Sequence, residues 1–139
     1  NQLDEAIVSY QKVLVLDPGF QQAYLNSAIA YHSKGEFKKA LPRYELALAI
    51  NPLSRESRYG FAQSLHREKF YVDAAREFEK LIEVYETYLP GHLELAIIYA
   101  GKLQMPDRAN VHYRRVLELN PQHPEATVIR EWLLANNRP

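Results

Sequence analysis

Residues of the same kind return along this chain at intervals of 34 or 35 positions. Ala6, Ala40, Ala74 and Ala109 are separated by 34, 34 and 35 residues. Four residues after each stands an aromatic, Tyr10, Tyr44, Phe78 and Tyr113, and three further on an apolar residue, Val13, Ala47, Leu81 and Val116. The spacing i, i+4, i+7 puts each set on one face of an α-helix. Asp17-Pro18, Asn51-Pro52 and Asn120-Pro121 end three of these helices, because proline cannot continue one. A chain of this pattern must stack copies of one small helical unit, since a single unit has no core of its own.

A second helix precedes each of these segments where the chain is long enough. It carries Ala28, Ala62 or Ala96, followed three positions later by Tyr31, Leu65 or Tyr99. Alanine at these places lets two backbones approach closely, and leucine at Ala40 or Ala74 would overpack the contact by about 1–3 kcal/mol. Gly35 supplies a permissive turn between paired helices; Lys69 holds the equivalent place, and Asn1 the same place at the start. Tyr31 to Ala40 and Leu65 to Ala74 both span 9 residues, whereas Tyr99 to Ala109 spans 10. The extra residue is therefore expected in the Gly101–Pro106 turn. Pro42 falls inside a second helix, which predicts a bend or a later helix start.

These positions resemble the tetratricopeptide repeat family, whose unit is a helix-turn-helix of 34 residues. The resemblance covers the whole chain: a half unit at 1–20, complete units at 21–54, 55–88 and 89–123, and a capping helix at 124–139. It implies an all-α, right-handed superhelical solenoid of antiparallel helix pairs with a concave inner surface. The chain departs from the family pattern at Tyr24, Arg58 and His92, where tryptophan is preferred, and at Glu86, where the closing proline is missing and Pro90 follows. An irregular middle junction is expected. Arg130 and Glu131 replace the apolar-small pairs Phe61-Ala62 and Leu95-Ala96, so the last helix reads as a solvating cap ended by Asn136-Asn137 and Pro139. The absence of an initial Met and the start within a unit suggest a segment of a longer protein.

Composition narrows the function. Lys plus Arg and Asp plus Glu each total 17, so no net field concentrates nucleic acid or an anionic membrane. No apolar run approaches the roughly 20 residues of a membrane span, and a soluble segment without direct membrane insertion is expected. With no cysteine, thiolate metal sites and cysteine nucleophiles are excluded, and the compartment stays open with a lean to the cytoplasm. No His-Glu-x-x-His, glycine-rich phosphate loop or nucleophile elbow occurs, which predicts no enzyme activity, cofactor or metal. His32 and His66, 34 residues apart, share a unit position and could neighbour one another, but repetition of two partly exposed polar residues explains them. Glu77 and Glu79 are expected on a solvated outer face.

The resemblance also implies which side chains reach the inner surface. They include Leu25, Ile29, Tyr59, Leu93 and Ile97 as an apolar lane, bordered by Gln63, His66, Arg67 and Glu94. Such a lane suits an extended peptide or helix of a partner protein; the alternative is that curvature packs these residues on one another. Some family members hold acidic chaperone tails with Lys, Asn, Asn, Lys and Arg. Those positions fall here on Leu25, Ile29, Gly60, Pro90 and Glu94, none of which matches, so no chaperone tail is expected. A different possibility is self-association into a homo-oligomer, since the unpaired first helix should expose Leu3, Ile7, Tyr10 and Leu14.

Overall fold

A computed structural model describes residues 1–137; Pro139, expected to close the last helix, lies outside the described residues. Among these residues the fold is all-α, with eight α-helices and no strand. They are α1 (Gln2–Leu16), α2 (Gln21–Ser33), α3 (Phe37–Ile50), α4 (Arg55–Arg67), α5 (Tyr71–Val84), α6 (Leu89–Ile97), α7 (Pro106–Leu119) and α8 (Ala126–Ala135), with a π turn at Ile98–Lys102. Among the described residues no helix is long and apolar enough to cross a membrane. Contacts divide the chain into one unit, Asn1–Glu77, and a second from Phe78 onward.

Local chemistry sets the helix ends. Asn1 caps α1 by accepting from the Leu3 N–H, and Ser54 caps α4 by accepting from the Ser57 N–H at 3.2 Å. Asp17, Asn51 and Asn120 each terminate a helix and then accept, through Oδ1, the N–H two residues on, at 3.0, 3.2 and 3.1 Å. Proline follows directly in each case, so the acidic or amide side chain folds the chain while the ring stops the helix. Tyr85 occupies the corresponding place after α5, where the residue is neither Asp nor Asn and Glu86 rather than proline follows. The backbone still turns identically: Tyr88 N–H bonds the Tyr85 carbonyl at 3.0 Å, as Ser54 bonds Asn51 at 3.1 Å and His123 bonds Asn120 at 3.1 Å. The irregular junction expected there is absent from the backbone.

The turns within pairs repeat a second motif. Glu36 N–H reaches back to the Tyr31 carbonyl and Phe70 N–H to Leu65, both at 2.9 Å, around Gly35 at φ 75° and Lys69 at φ 66°. Lys69 thus adopts the left-handed conformation that glycine takes without steric cost. In the later pair Met105 N–H reaches the Tyr99 carbonyl at 2.8 Å, with Gln104 at φ 52°. One more residue lies inside this loop, and the widened turn at Ile98–Lys102 accommodates it. The insertion falls where spacing placed it, but Gln104 rather than Gly101 takes the left-handed position. Helix α3 runs from Phe37 through Pro42 without a later start.

In the first unit α2 and α3 pair, α1 packs on α2, and α4 packs on α3 and α2. Leu25, Ala28, Ala40, Tyr44 and Ala47 form its core, with Tyr24, Tyr31 and Phe61 packed against it. Ser57, Gly60 and Ser64 give α4 a stripe of small, buried residues. A Cβ on Gly60 would sit 2.6 Å from Cε1 of Tyr44, so this glycine makes room for the ring. In the second unit α6 packs on α7, and α7 on α8, around buried Leu95, Ala96, Ile98, Tyr99, Ala109, Val116 and Ile129.

Two substitutions separate steric from conformational effects. Gly60→Ala is expected to lose about 1–3 kcal/mol of stability because overlap with Tyr44 outweighs the helix preference of alanine. Lys69→Gly is expected to gain up to about 1 kcal/mol by relieving the left-handed backbone; urea denaturation reads both.

Candidate functional site

The side chains expected to reach a partner separate into two sets. In the first unit Ile29 is 43% exposed on α2, Arg67 is exposed, and Tyr59, Gln63 and His66 on α4 are half-buried. In the second unit α6 carries Ile97, 37% exposed, with Leu93 and Glu94 half-buried. Leu25 does not belong with them. It is 2% exposed, within the α2–α3 core beside Ala28, Ala40, Tyr44 and Ala47, because its face of α2 is the one turned to the partner helix. Gly60, another position that the resemblance assigns to the inner surface, is likewise buried.

Polar contacts fix this part of α2 and α4. Gln21 Nε2 donates to Ser57 Oγ at 3.3 Å, and His32 Nδ1 lies 2.9 Å from Ser64 Oγ. His32 therefore finds a serine of α4, and its ring packs edge-on against Phe37, while His66 packs edge-on against Tyr71. Each histidine abuts the aromatic that opens the following helix. Burial, and secondarily the positive charge of Arg67, hold the His32 pKa below its ordinary value. The Arg67 guanidinium lies 5.9 Å from the Phe37 ring centre.

On α1, Leu3, Tyr10 and Leu14 are half-buried, but Ile7 is 6% exposed and is withdrawn from the expected apolar face by the packing of α1 on α2. The repeat positions Ala6, Tyr10 and Val13 remain half-buried, whereas their counterparts Ala40, Tyr44 and Ala47 are buried. Val15 and Leu16 are the most exposed apolar residues of α1.

Glu77 and Glu79 of α5 are held by side chains of other elements rather than merely solvated. Glu77 Oε2 accepts from Arg58 Nη1 at 2.6 Å, and Arg58 Nη2 also donates to the Pro52 carbonyl at 2.8 Å. Arginine stands here where the resembled family prefers tryptophan, and it ties α4 to α5. Glu79 accepts from the Tyr99 hydroxyl, which also accepts from Arg108 Nη1 at 3.2 Å. Beside them, His92 and His112 bring their Nδ1 atoms to 3.1 Å, and His92 Nε2 lies 2.9 Å from the Glu86 carbonyl. The Tyr99 ring stacks on His112 with 5.9 Å between centres. Burial, with the neighbouring His92, pushes the His112 pKa down to about 4. Sequence alone did not single out this cluster, since His92 and His112 share no unit position. No group of three or more His, Asp or Glu able to hold a metal occurs among the described residues.

Comparisons accord with the fold. The family description "TPR repeat" matches residues 1–35, and "Tetratricopeptide repeat" matches residues 23–58. No curated protein matches the sequence. Similar solved structures include MamA, at 19% identity and TM-score 0.86, covering 96% of this chain and 84% of that one. The Arabidopsis OM64 TPR domain has 18% identity and TM-score 0.75, covering 81% of this chain and 93% of its own. The first TPR of Spaghetti (RPAP3), bound to the HSP90 peptide SRMEEVD, has 22% identity and TM-score 0.75, covering 83% and 91%.

The burial difference between adjacent turns of α2 is open to measurement. Leu25→Ala is expected to cost about 2–5 kcal/mol by leaving a core cavity. Ile29→Ala should cost under about 1 kcal/mol; comparable losses in chemical denaturation would contradict the assignment of Leu25 to the core and Ile29 to the surface.

Proposed function

On the premise that this chain belongs to the tetratricopeptide repeat family, we propose that it is a non-catalytic protein-interaction scaffold that binds an extended peptide or helix of a partner. Its recurring units are those at 21–54, 55–88 and 89–123, flanked by the half unit and capping helix. The single observation that carries the reading is the partial exposure of apolar side chains on the first helices of each unit, Ile29 at 43% with Tyr59 half-buried in one and Ile97 at 37% with Leu93 half-buried in the other. Apolar side chains with Gln63, His66 and Arg67 on α4 of the first unit, and with Glu94 on α6 of the second, suit recognition by shape with polar flanking contacts. A pre-formed helical surface also limits the ordering entropy of capture to the partner. The solved complex of Spaghetti (RPAP3) with SRMEEVD supports the peptide-binding capacity of this fold.

The partner chemistry differs from that of an acidic tail. Leu25 and Gly60 are buried at two of the five clamp positions, and Ile29, Pro90 and Glu94 offer no cationic donor at the others. A carboxylate would meet the like charge of Glu94. Self-association is a second reading, favoured by the partial exposure of Ala6, Tyr10 and Val13 where their counterparts are buried. In it, a second copy covers the face of α1 bordered by Leu3, Tyr10 and Leu14.

Tyr59→Ala combined with Ile97→Ala is expected to lose a subset of the partners captured by the wild type, each then confirmed by direct titration, with its mass in solution unchanged. Identical partner sets would remove the surface reading; self-association through α1 predicts instead that Leu14→Asp changes the oligomeric mass and leaves capture intact.

A further inference from the structure

We propose that His92 and His112 form an acid-sensitive latch, which holds α6 against α7 while a single hydrogen is shared between their Nδ1 atoms and loosens that pairing as the rings take up further protons. The hydrogen bonds set the starting state. The Glu86 carbonyl can only accept, so His92 Nε2 carries a hydrogen toward it at 2.9 Å. In the neutral ring His92 Nδ1 is then bare, and the 3.1 Å contact requires His112 Nδ1–H to donate to it. One added proton leaves a single hydrogen between the Nδ1 atoms, on His92 or on His112, but places a charge in a half-buried site. A second proton puts a hydrogen on both Nδ1 atoms, and the contact between them is lost.

The surroundings oppose that charge from several elements. His92 is 7% exposed on α6, so water reaches the pair poorly. From the π turn, Tyr99 covers the His112 ring and supplies no charge. From α7, the Arg108 guanidinium repels a proton on His112. Glu79 of α5 favours one, but its carboxylate already accepts from the Tyr99 hydroxyl and lies 3.4 Å from Arg108 Nη1. These contacts agree with the depressed basicity of His112, whose pKa lies at about 4. An unfolded histidine takes its proton near pH 6.5, so below that value the open chain binds a proton that the closed pair resists. Stability from the latch is therefore complete above about pH 6.5 and is lost progressively as pH falls toward about 4. The inference concerns α6–α7 pairing and does not depend on the proposed binding surface.

The test compares urea unfolding of the full chain at about pH 7 and about pH 5 for the wild type, His112→Phe and His112→Gln. Phenylalanine keeps a ring over Tyr99 and glutamine keeps a donor toward His92, while neither titrates. Between those conditions the folding constant of the wild type should fall by roughly tenfold or more beyond that of either variant. Parallel profiles would overturn the latch. Nuclear magnetic resonance of the wild type gives the same decision should both variants fail to fold. A His112 ring still neutral at about pH 5, with α6 and α7 amides shifting on further acidification ahead of those of α2 and α3, supports it; a ring titrating near pH 6.5 overturns it. Zinc that raises the melting temperature of the wild type but not of the variants also overturns it, since the Nδ1 atoms would then be metal ligands.

Discussion

Close approach of helix backbones is the constraint on which this fold rests. Ala28, Ala40, Ala47, Ala62, Ala74, Ala96 and Ala109 have no solvent exposure, and aromatic rings occupy the space that their short side chains leave. The same trade explains Gly60: Tyr44 fills the volume where a Cβ would stand. Dispersion across such contacts is weak for each atom pair but large over a whole interface, and a single added methylene disturbs it. The proposed binding surface depends on this arrangement, because side chains on the remaining arcs of the first helices are free to be apolar without serving the core.

Much of this was legible in the amino-acid order. The recurrence of Ala6, Ala40, Ala74 and Ala109 located the second helices, and Asp17, Asn51 and Asn120 marked where three of them stop. The turn after α5 was less legible, since Tyr85 lacks the side-chain acceptor of its counterparts and yet the backbone keeps the same turn. Packing of the flanking helices carries that geometry without the local signal. The length of the Tyr99–Met105 loop was readable as one extra residue, but its resolution into a widened helical turn was not, because spacing counts residues and leaves their hydrogen-bond pattern open.

Surface assignment was harder for a physical reason. Position within a repeat says which face of a helix a residue occupies, whereas burial depends on what packs there. Leu25 and Tyr59 share a unit position, yet Leu25 is in the core and Tyr59 is half-buried. Ile7 likewise passed from an expected open face to a buried one. The Glu79–Tyr99–Arg108 contacts and the His92–His112 pair join side chains far apart in sequence at non-equivalent positions, so periodicity carries no trace of them. Charge pattern alone assigned Glu77 and Glu79 to solvent, although both have specific partners on other helices.

The pairing of helices in the first unit has a kinetic consequence. Helix α2 touches α1, α3 and α4, and α3 touches α4, so its contacts join segments that follow closely along the chain. Little loop entropy separates an extended polypeptide from a first stable nucleus, which places this kind of topology among the rapid folders. Assembly can begin at a single hairpin and grow outward by accretion, without waiting for distant parts of the polypeptide to meet.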